Sequence, residues 1–220
     1  MKKVTKKLSA LLIMSFAIAM SLTACMPSFD ASGYIKACLD ASTKGEFEVY
    51  AELTNSSVEQ VEALYNQSID AEMAYIEAYN VSDETKEKFR TLFIDIYKNF
   101  KYEVGEATRN DDNSYTVPVT TYKLQVFKGY MDGGEEYLTQ YAQEQIDAGN
   151  NPTQEELEEV ILNYMYDKMS ANLEALEYAE PVTTDIAVTP TKNGSTVVYS
   201  ASTSDLQSLI ETLVDFENAE

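Results

Sequence analysis

The sequence contains no histidine and no tryptophan, and its basic residues are few. The absence of histidine excludes Ser-His-Asp and Cys-His catalysis and every histidine-based metal site. The 37 acidic and 16 basic side chains give a net charge of −21, so nucleic acid is not an expected partner. Hydrophobic residues make up 45% of the 220 positions, which argues against a disordered chain despite the charge.

The first 24 residues have the three-part pattern of an export signal. Four lysines lie within the first seven positions, and residues 8–20 form an uncharged, largely apolar stretch. This stretch is shorter than the ~20 apolar residues that span a bilayer comfortably. We therefore expect residues 1–24 to be a signal peptide and not a permanent membrane helix.

The motif Leu22-Thr23-Ala24-Cys25 resembles the lipobox of bacterial lipoproteins. The resemblance implies cleavage after Ala24 and attachment of a diacylglycerol to the sulfur of Cys25. Two acyl chains hold a protein stably on a membrane, because each buried CH₂ contributes ~0.8 kcal/mol. An ordinary signal peptide followed by a coincidental cysteine is the alternative. We expect residues 25–30 to tether the protein to the outer face of the cytoplasmic membrane.

The mature chain carries a net charge of −25, because the signal peptide takes away four lysines and no acid. With Cys25 acylated, Cys38 has no partner for an internal disulfide. Cys38 falls on the apolar face of a helix predicted over 31–53, with a break near Lys44-Gly45. We expect it to be a small buried hydrophobic residue rather than a reactive thiol.

Local capping signals predict where further helices begin. Ser57-Val58-Glu59-Gln60 and Thr153-Gln154-Glu155-Glu156 are capping boxes, and Ser82 precedes two acids that suit a helix N-terminus. Helices are predicted from Ser57 to about residue 80, from Ser82 to about residue 100 and from Thr153 to about residue 178. Two further helices are predicted over 135–148 and after Ser204. The apolar face of the helix over 31–53 ends with Leu53. The apolar faces of the later helices are, in order, Val58, Val61, Tyr65, Ile69, Met73 and Ile76; then Phe89, Leu92, Phe93, Ile96 and Tyr97; then Met165, Met169 and Leu176; and last Leu206, Leu209, Ile210, Leu213 and Val214.

Alternating apolar residues predict two strand hairpins. Strands over 102–107 and 114–128 flank the turn residues 110–113, and this closure places Val104 opposite Val119 and Glu106 opposite Val117. A change of parity in the second strand predicts a bulge near Thr120-Thr121. Asn193-Gly194 predicts a type I′ turn, which places Val188 opposite Tyr199.

The order of elements predicts one α+β domain over 31–220. Its core would be a curved antiparallel sheet of about four strands packed with helices, and a helical hairpin would be inserted at about 129–178.

Two segments also resemble a domain-of-unknown-function family found on lipoproteins of Gram-positive bacteria. They are Tyr34-Ile35-Lys36-Ala37-Cys38-Leu39-Asp40, followed by Lys44-Gly45-Glu46-Phe47 and Tyr50, and Phe100-Lys101-Tyr102-Glu103-Val104-Gly105-Glu106-Ala107. The resemblance covers roughly residues 31–128. It implies a cystatin-like or NTF2-like roll, in which helices lie in the concavity of a bent sheet, and it implies no catalytic residue.

Three groups of residues are candidates for a site. Glu103, Glu106 and Asp185 would serve as general acids or bases if they faced the hollow of a roll, but a solvated sheet face is the favoured interpretation. The acidic runs 111–113 and 132–136 lack EF-hand spacing and are assigned to turns. Tyr130, Tyr137 and Tyr141 are candidate contacts for a glycan, a peptide or a protein, and packing against the neighbouring helix is their favoured alternative. Lys-rich patches and Gly-rich phosphate loops are absent from the sequence.

The sequence therefore favours a lipid-anchored domain that binds a small ligand or an envelope protein and does no chemistry. It predicts no catalytic residue, cofactor or metal. The alternative is an NTF2-like enzyme that uses a buried carboxylate or a tyrosine in the roll pocket. A third interpretation is a structural spacer that binds no ligand.

Overall fold

The computed structural model describes residues 22–23, 29–193 and 196–215, and the structural statements below refer to these residues. Their helices are α1 Ala31–Leu39, α2 Glu48–Thr54, α3 Val58–Glu77, α4 Asp83–Lys98, α5 Gly134–Asp147, α6 Gln154–Ala175 and α7 Thr203–Ile210. Their strands are β1 Leu22–Thr23, β2 Lys101–Val104, β3 Thr108–Arg109, β4 Tyr115–Leu124, β5 Tyr178–Asn193 and β6 Thr196–Ala201. A π-helical turn, Asp40–Lys44, continues α1.

The strands form one antiparallel sheet in the order β1-β6-β5-β4-β2, with β3 also paired to β4. The first part of β5 pairs with β4 and its last part pairs with β6. One long strand thus belongs to both halves of a sheet that curls into a half-barrel against the helices. The predicted α+β class and curved antiparallel sheet are confirmed.

Two buried clusters fill the space between the sheet and the helices. One joins α3, α4 and α6 through residues such as Ile69, Phe89 and Met165. The other packs α1 against the middle of the sheet and includes Ile35 and Val117. Burying such side chains is the main favourable contribution to folding.

The predicted helix starts at Ser57, Ser82 and Thr153 are confirmed. Ser57 and Thr153 each accept a hydrogen bond from the backbone N–H three residues on, and each backbone N–H is bonded in return by the side chain there. The predicted break near Lys44-Gly45 is also confirmed, because Gly45 ends the π-helical turn with a φ of +71°. Three residues assigned to apolar faces, Leu53, Val58 and Leu176, are exposed instead.

The first hairpin has the predicted register at one end only. Val104 lies opposite Val119, as predicted, but Thr108 lies opposite Thr116. One extra residue between 104 and 108 forms a bulge, so the predicted pairing of Glu106 with Val117 is wrong. The bulge is held by Ser32 of α1, whose hydroxyl donates to Gly105 O and accepts from Ala107 N–H.

The predicted bulge at Thr120-Thr121 is displaced toward the end of β4. Burial alternates regularly from Tyr115 through Thr121, and the register shifts between Tyr122 and Leu124. Thr121 continues the alternation as a buried residue. A polar side chain is tolerated there because its hydroxyl donates to Thr212 Oγ1 at 2.7 Å.

The register predicted for the last hairpin is wrong by two residues. Val188 lies opposite Ala201 and Pro190 opposite Tyr199. A shift of two leaves every side chain on its predicted face. Asn193 pairs with Thr196, and Gly194 and Ser195 stand between them in the sequence. These two residues lie outside the described residues.

Two helix boundaries also differ from prediction. The helix after Thr153 ends at Ala175, and residues 178–184, which the sequence did not predict to be extended, open β5. The N-cap of α7 is Ser202 and not Ser204, because β6 ends at Ala201 and the Ser202 hydroxyl accepts from Asp205 N–H. None of the described helices is long and apolar enough to cross a membrane.

Candidate functional site

A cleft of about 630 Å³ opens where three segments meet at one end of the sheet. The segments are the end of α1 with its π-helical turn, the passage from α4 into β2, and the start of β5. The cleft is lined by Lys36, Asp40, Lys44, Lys98, Asn99, Phe100, Lys101, Tyr102, Glu103, Val104 and Tyr178. Four lysines and two acids make it electropositive in a chain whose net charge is −21.

The π-helical turn sets one wall of the cleft. The Ser42 and Thr43 hydroxyls donate to the carbonyls of Cys38 and Leu39, four residues earlier. The turn carries Asp40 and Lys44 at its two ends, and both side chains line the cleft. π-helical turns occur frequently at functional sites.

Lys44 joins the π-helical turn to the end of α4. Its Nζ donates to Lys98 O at 2.6 Å and also to Phe100 O. Burial lowers the pKa of the Lys44 ammonium, and the nearby Asp40 and Glu46 carboxylates act in the opposite direction. With its donors directed at carbonyls, Lys44 shapes the cleft more than it serves a ligand.

Tyr102 lies at the centre of a hydrogen-bonded group. Its hydroxyl donates to Asp40 Oδ1 at 2.7 Å and lies 3.3 Å from Thr43 Oγ1. Burial, together with the hydrogen bond to Asp40, raises the pKa of the Tyr102 phenol, so it stays protonated. Asp40 also pairs with the Lys36 ammonium, and its charge is thereby compensated.

The other wall of the cleft carries Tyr178, and Tyr122 lies beside it against Lys101. Lys101 Nζ lies 4.1 Å from the centroid of the Tyr122 ring and 5.8 Å from that of Tyr178. The Tyr178 hydroxyl donates to Asn99 O at 2.7 Å, and the Tyr122 hydroxyl donates to Glu103 Oε1 at 3.0 Å. These bonds fix the rings in place.

Three lysines at the rim, Lys36, Lys98 and Lys101, are exposed to solvent. Lys36 is paired with Asp40, whereas Lys98 and Lys101 take part in none of the salt bridges found within the described residues. An ammonium group is a compact charge with three rotatable donors. Next to fixed tyrosine rings, these groups suit a ligand that carries an anionic group beside an apolar or sugar-like part.

Sequence reasoning missed this cleft. The four lysines come from two separate segments, 36–44 and 98–101, so no Lys-rich patch is visible in the sequence, yet the fold brings the two segments together. The available signal was the segment Lys98-Asn99-Phe100-Lys101-Tyr102, where two lysines and two aromatic residues lie together in a strongly acidic chain.

The candidate carboxylates do not converge. Glu103, Glu106 and Asp185 are all exposed, and only Glu103 lines the cleft. Two other carboxyls are buried, Glu72 of α3 and Asp215. Glu72 is 4% exposed and accepts from Tyr97 Oη at 3.0 Å. Burial raises its pKa to about 7, although the Tyr97 hydrogen bond acts to lower it. Glu72 is buried and is not among the residues that line the cleft.

The three candidate tyrosines lie away from the cleft. Tyr130 is 1% exposed and packed in the core, so it offers no surface to a ligand. Tyr137 on α5 is 47% exposed, with its ring 4.9 Å from that of Tyr164. Tyr141 is half-buried on the same helix. A ligand contact at Tyr137 or Tyr141 stays a prediction.

The remaining candidate residues fall into three cases. Ala24 and Cys25 lie outside the described residues. Cys38 is fully buried, and burial raises the pKa of its thiol to about 12, in line with a small hydrophobic role. In the turn at 111–113, Asp112 Oδ1 accepts from Ser114 N–H and Oγ. Within the described residues, no three acidic or cysteine side chains are grouped to hold a metal ion.

Comparison with known proteins shows the fold but no family. No protein-family model matches the chain, and no curated protein matches it. The chain is similar to the crystal structure of a putative lipoprotein (ycdA) from Bacillus subtilis, with a TM-score of 0.56 and 13% sequence identity. The match covers 84% of this chain and 56% of the Bacillus subtilis chain. This likeness shows that the two proteins share an α+β fold.

Proposed function

We propose that this is a lipid-anchored protein of the outer face of the cytoplasmic membrane, which binds an anionic ligand in the lysine-lined cleft and does no chemistry on it. The observation that carries the ligand class is that Lys98 and Lys101, both exposed and outside the salt bridges of the described residues, meet Lys36 and Lys44 at one cleft of a strongly acidic chain. Elsewhere the acidic charge would repel an anion, so the cleft is the favourable place for it.

The anchor rests on the sequence. Residues 1–24 are the proposed signal peptide, and its removal would take β1, Leu22–Thr23, from the edge of the sheet. Cys25 is the proposed acylated N-terminus, and residues 25–30 form the proposed tether, of which Phe29 and Asp30 already contact the folded body. The lipobox resemblance supports this assignment, as does a structural neighbour whose name includes the word lipoprotein. An envelope protein with an acidic surface segment is a second kind of partner that the cleft would accept.

The arrangement of polar groups favours binding over catalysis. Asp40 is shared between Lys36 and Tyr102, and the raised pKa keeps the Tyr102 phenol protonated, so it neither accepts a proton nor gives one up readily. The alternative of an enzyme is supported by one observation, the near-neutral pKa of Glu72. That carboxyl is enclosed in the core, where a substrate would have to displace packed side chains to reach it.

Anion binding is tested by calorimetric titration of the purified domain with pyrophosphate and with citrate. The double variant Lys98→Gln, Lys101→Gln is expected to bind about tenfold more weakly, which corresponds to about 1.4 kcal/mol. Raising the salt concentration is expected to weaken binding by the wild type as well.

The matched control is the double variant Lys168→Gln, Lys192→Gln, which removes the same charge from two exposed lysines that do not line the cleft. It is expected to bind like the wild type. Equal weakening in both double variants would mean that net charge alone attracts the probes, and no binding by the wild type would contradict the proposed ligand class.

The anchor is tested separately by intact-mass analysis of the protein extracted from membranes. We expect a mature chain that begins at Cys25 and carries acyl groups, and a Cys25→Ser variant that is no longer held by lipid. A mature chain that begins elsewhere, or begins at Cys25 without acyl groups, would contradict the anchor.

A further inference from the structure

Phe29, four residues after Cys25, is fixed to the sheet by three tyrosines. Its ring stacks on that of Tyr199 in β6, with a centroid distance of 4.0 Å and an interplanar angle of 4°. It also contacts Tyr34 of α1 and Tyr115 of β4, each at a centroid distance of 5.7 Å. We call these four residues the aromatic clamp.

The clamp also sets the direction in which the chain enters α1. Asp30 is the N-cap of α1, and its Oδ1 accepts from Gly33 N–H at 2.8 Å. Phe29 precedes this N-cap and contacts Tyr34, the fourth residue of the helix, which is the arrangement of a hydrophobic staple. The chain therefore leaves the folded body at a defined point.

The clamp lies where β4 and α1 begin, whereas the cleft lies farther along both, from Lys36 onward on α1 and beside Tyr122 on β4. β4 begins at Tyr115 in the clamp and reaches Tyr122 beside the cleft, seven residues or about 23 Å away. α1 begins next to Phe29 and leads into Asp40, a rise of about 16 Å over eleven residues.

The tether is shorter than this separation. Four peptide units from Cys25 to Phe29 extend at most about 14 Å. An acylated Cys25 would therefore keep the clamp end near the bilayer. The net charge of −25 expected for the mature chain repels the rest of the body from an anionic lipid surface.

We infer that the aromatic clamp orients the protein on the membrane, with the clamp end toward the lipid and the cleft turned away from it. The cleft then receives ligands from the extracytoplasmic side and not from the lipid headgroups of its own membrane. This inference rests on the proposed lipid anchor at Cys25 and adds to it a defined orientation.

Energy transfer to labelled lipid headgroups tests the orientation. Single fluorophores are placed at Asp111→Cys, near the clamp, and at Glu177→Cys, near the cleft, in the acylated protein on vesicles that contain phosphatidylglycerol. Both positions are exposed, whereas Cys38 is fully buried and escapes labelling. We expect clearly more efficient transfer from position 111 than from position 177.

Two changes to the tether test the role of the clamp. Phe29→Ser, which removes the stacked ring, is expected to abolish most of the difference between the two labels, whereas Phe29→Tyr is expected to keep it. An eight-residue Gly-Ser insertion before Phe29 leaves the clamp intact and adds about 16 Å of flexible chain. It is expected to reduce the difference even if Phe29→Ser fails to fold.

The possible results separate the orientation from the anchor. Equal transfer from both labels on protein that stays bound to the vesicles would overturn the orientation alone. A difference that survives both Phe29→Ser and the insertion would overturn the role of the clamp. Failure of the wild type to bind vesicles would overturn the anchor and the orientation together.

Discussion

At the scale of single residues, Glu72 is a carboxyl whose buried environment disfavours its charged form. It is a carboxyl in the core, 4% exposed, with a pKa raised from 4.5 to about 7 mainly by burial. Tyr97 Oη donates to it at 3.0 Å. The folded state therefore holds this proton over a pH range in which the unfolded chain has already lost it.

Because the folded protein holds a proton on Glu72, its free energy of unfolding is expected to fall as the pH rises. Because the folded pKa lies above the unfolded value, the contribution of Glu72 is fully present below about pH 4.5 and is lost between about 4.5 and 7. Glu72→Gln removes the ionisation and keeps an acceptor for Tyr97. We expect the variant to be more stable than the wild type at pH 8, by on the order of 2 kcal/mol, and nearly equal to it at pH 4.5.

Urea unfolding at several pH values measures this difference. Glu62→Gln, on the exposed side of the same helix, is the control for the general effect of removing one charge. If the gap between wild type and Glu72→Gln does not change with pH, the carboxyl is not held protonated in the fold.

At the scale of elements, the bulge between β2 and β3 depends on one serine of α1. Ser32 Oγ lies 2.8 Å from both Gly105 O and Ala107 N, backbone groups that the bulge removes from the strand ladder. Ser32→Ala leaves both groups without this partner, which costs about 1–3 kcal/mol. We expect a matching decrease in the free energy of unfolding. Ser208→Ala, where the exposed serine bonds only within α7, is expected to have little effect.

A second contact between elements ties α6 to the start of α4. Glu159 accepts from Ser82 N–H and Oγ, each at 2.8 Å, and from Thr85 Oγ1. Burial raises the pKa of this carboxyl, but the hydrogen bonds from Thr85, Ser82 and Asn163 outweigh it and leave the pKa below its usual value. The stabilising contribution of Glu159 is thus fully present above the pKa that the carboxyl has in the unfolded chain. It is lost as the pH falls through the lower pKa that the carboxyl has in the folded protein.

Glu159→Gln is expected to lower the melting temperature at pH 7 and to matter less as the pH approaches 4. Glu174→Gln, on an exposed part of the same helix, provides the control for charge. Amide exchange that speeds up in α6 and the first turn of α4 would locate the effect. An unchanged melting temperature at pH 7 would mean that solvent replaces the contact at no cost.

These contacts explain which elements were predictable. The helix starts at Ser57 and Thr153 were predicted correctly because every partner of a capping box lies within three residues. The bulge beside Gly105 was missed because it is stabilised by Ser32, 73 residues earlier. The register after Val188 was wrong because Asn193-Gly194 and Gly194-Ser195 are both good turn dipeptides. The cleft was missed for the same reason as the bulge, since Lys36 and Lys101 meet only in the fold.

At the scale of the whole molecule, charge is distributed very unevenly. The acidic surface surrounds a cleft that carries four lysines, and the cleft lies at the opposite end of β4 from the aromatic clamp. In the proposed orientation, the distance between the positive groups and the clamp would keep them away from an anionic membrane, which would otherwise compete with a soluble ligand for them. The shape and the charge distribution therefore favour the same orientation.

The net charge also predicts how stability responds to salt. Five ion pairs occur within the described residues, and three of them join side chains only three or four positions apart in helical segments. Surface pairs of this kind contribute about 0–1 kcal/mol each, and salt weakens them. Salt also weakens the mutual repulsion that accompanies a net charge of −21.

We expect the repulsion to dominate, so that the melting temperature at pH 7 rises between 0.02 and ~0.15 M sodium chloride, where the Debye length shortens to about 8 Å. Chloride is preferable to sulfate, because sulfate stabilises folded proteins by exclusion from their surface. The same titration at pH 4.5, where many carboxylates are protonated, should show a smaller rise. A melting temperature that falls over this range at pH 7 would mean that the ion pairs outweigh the repulsion.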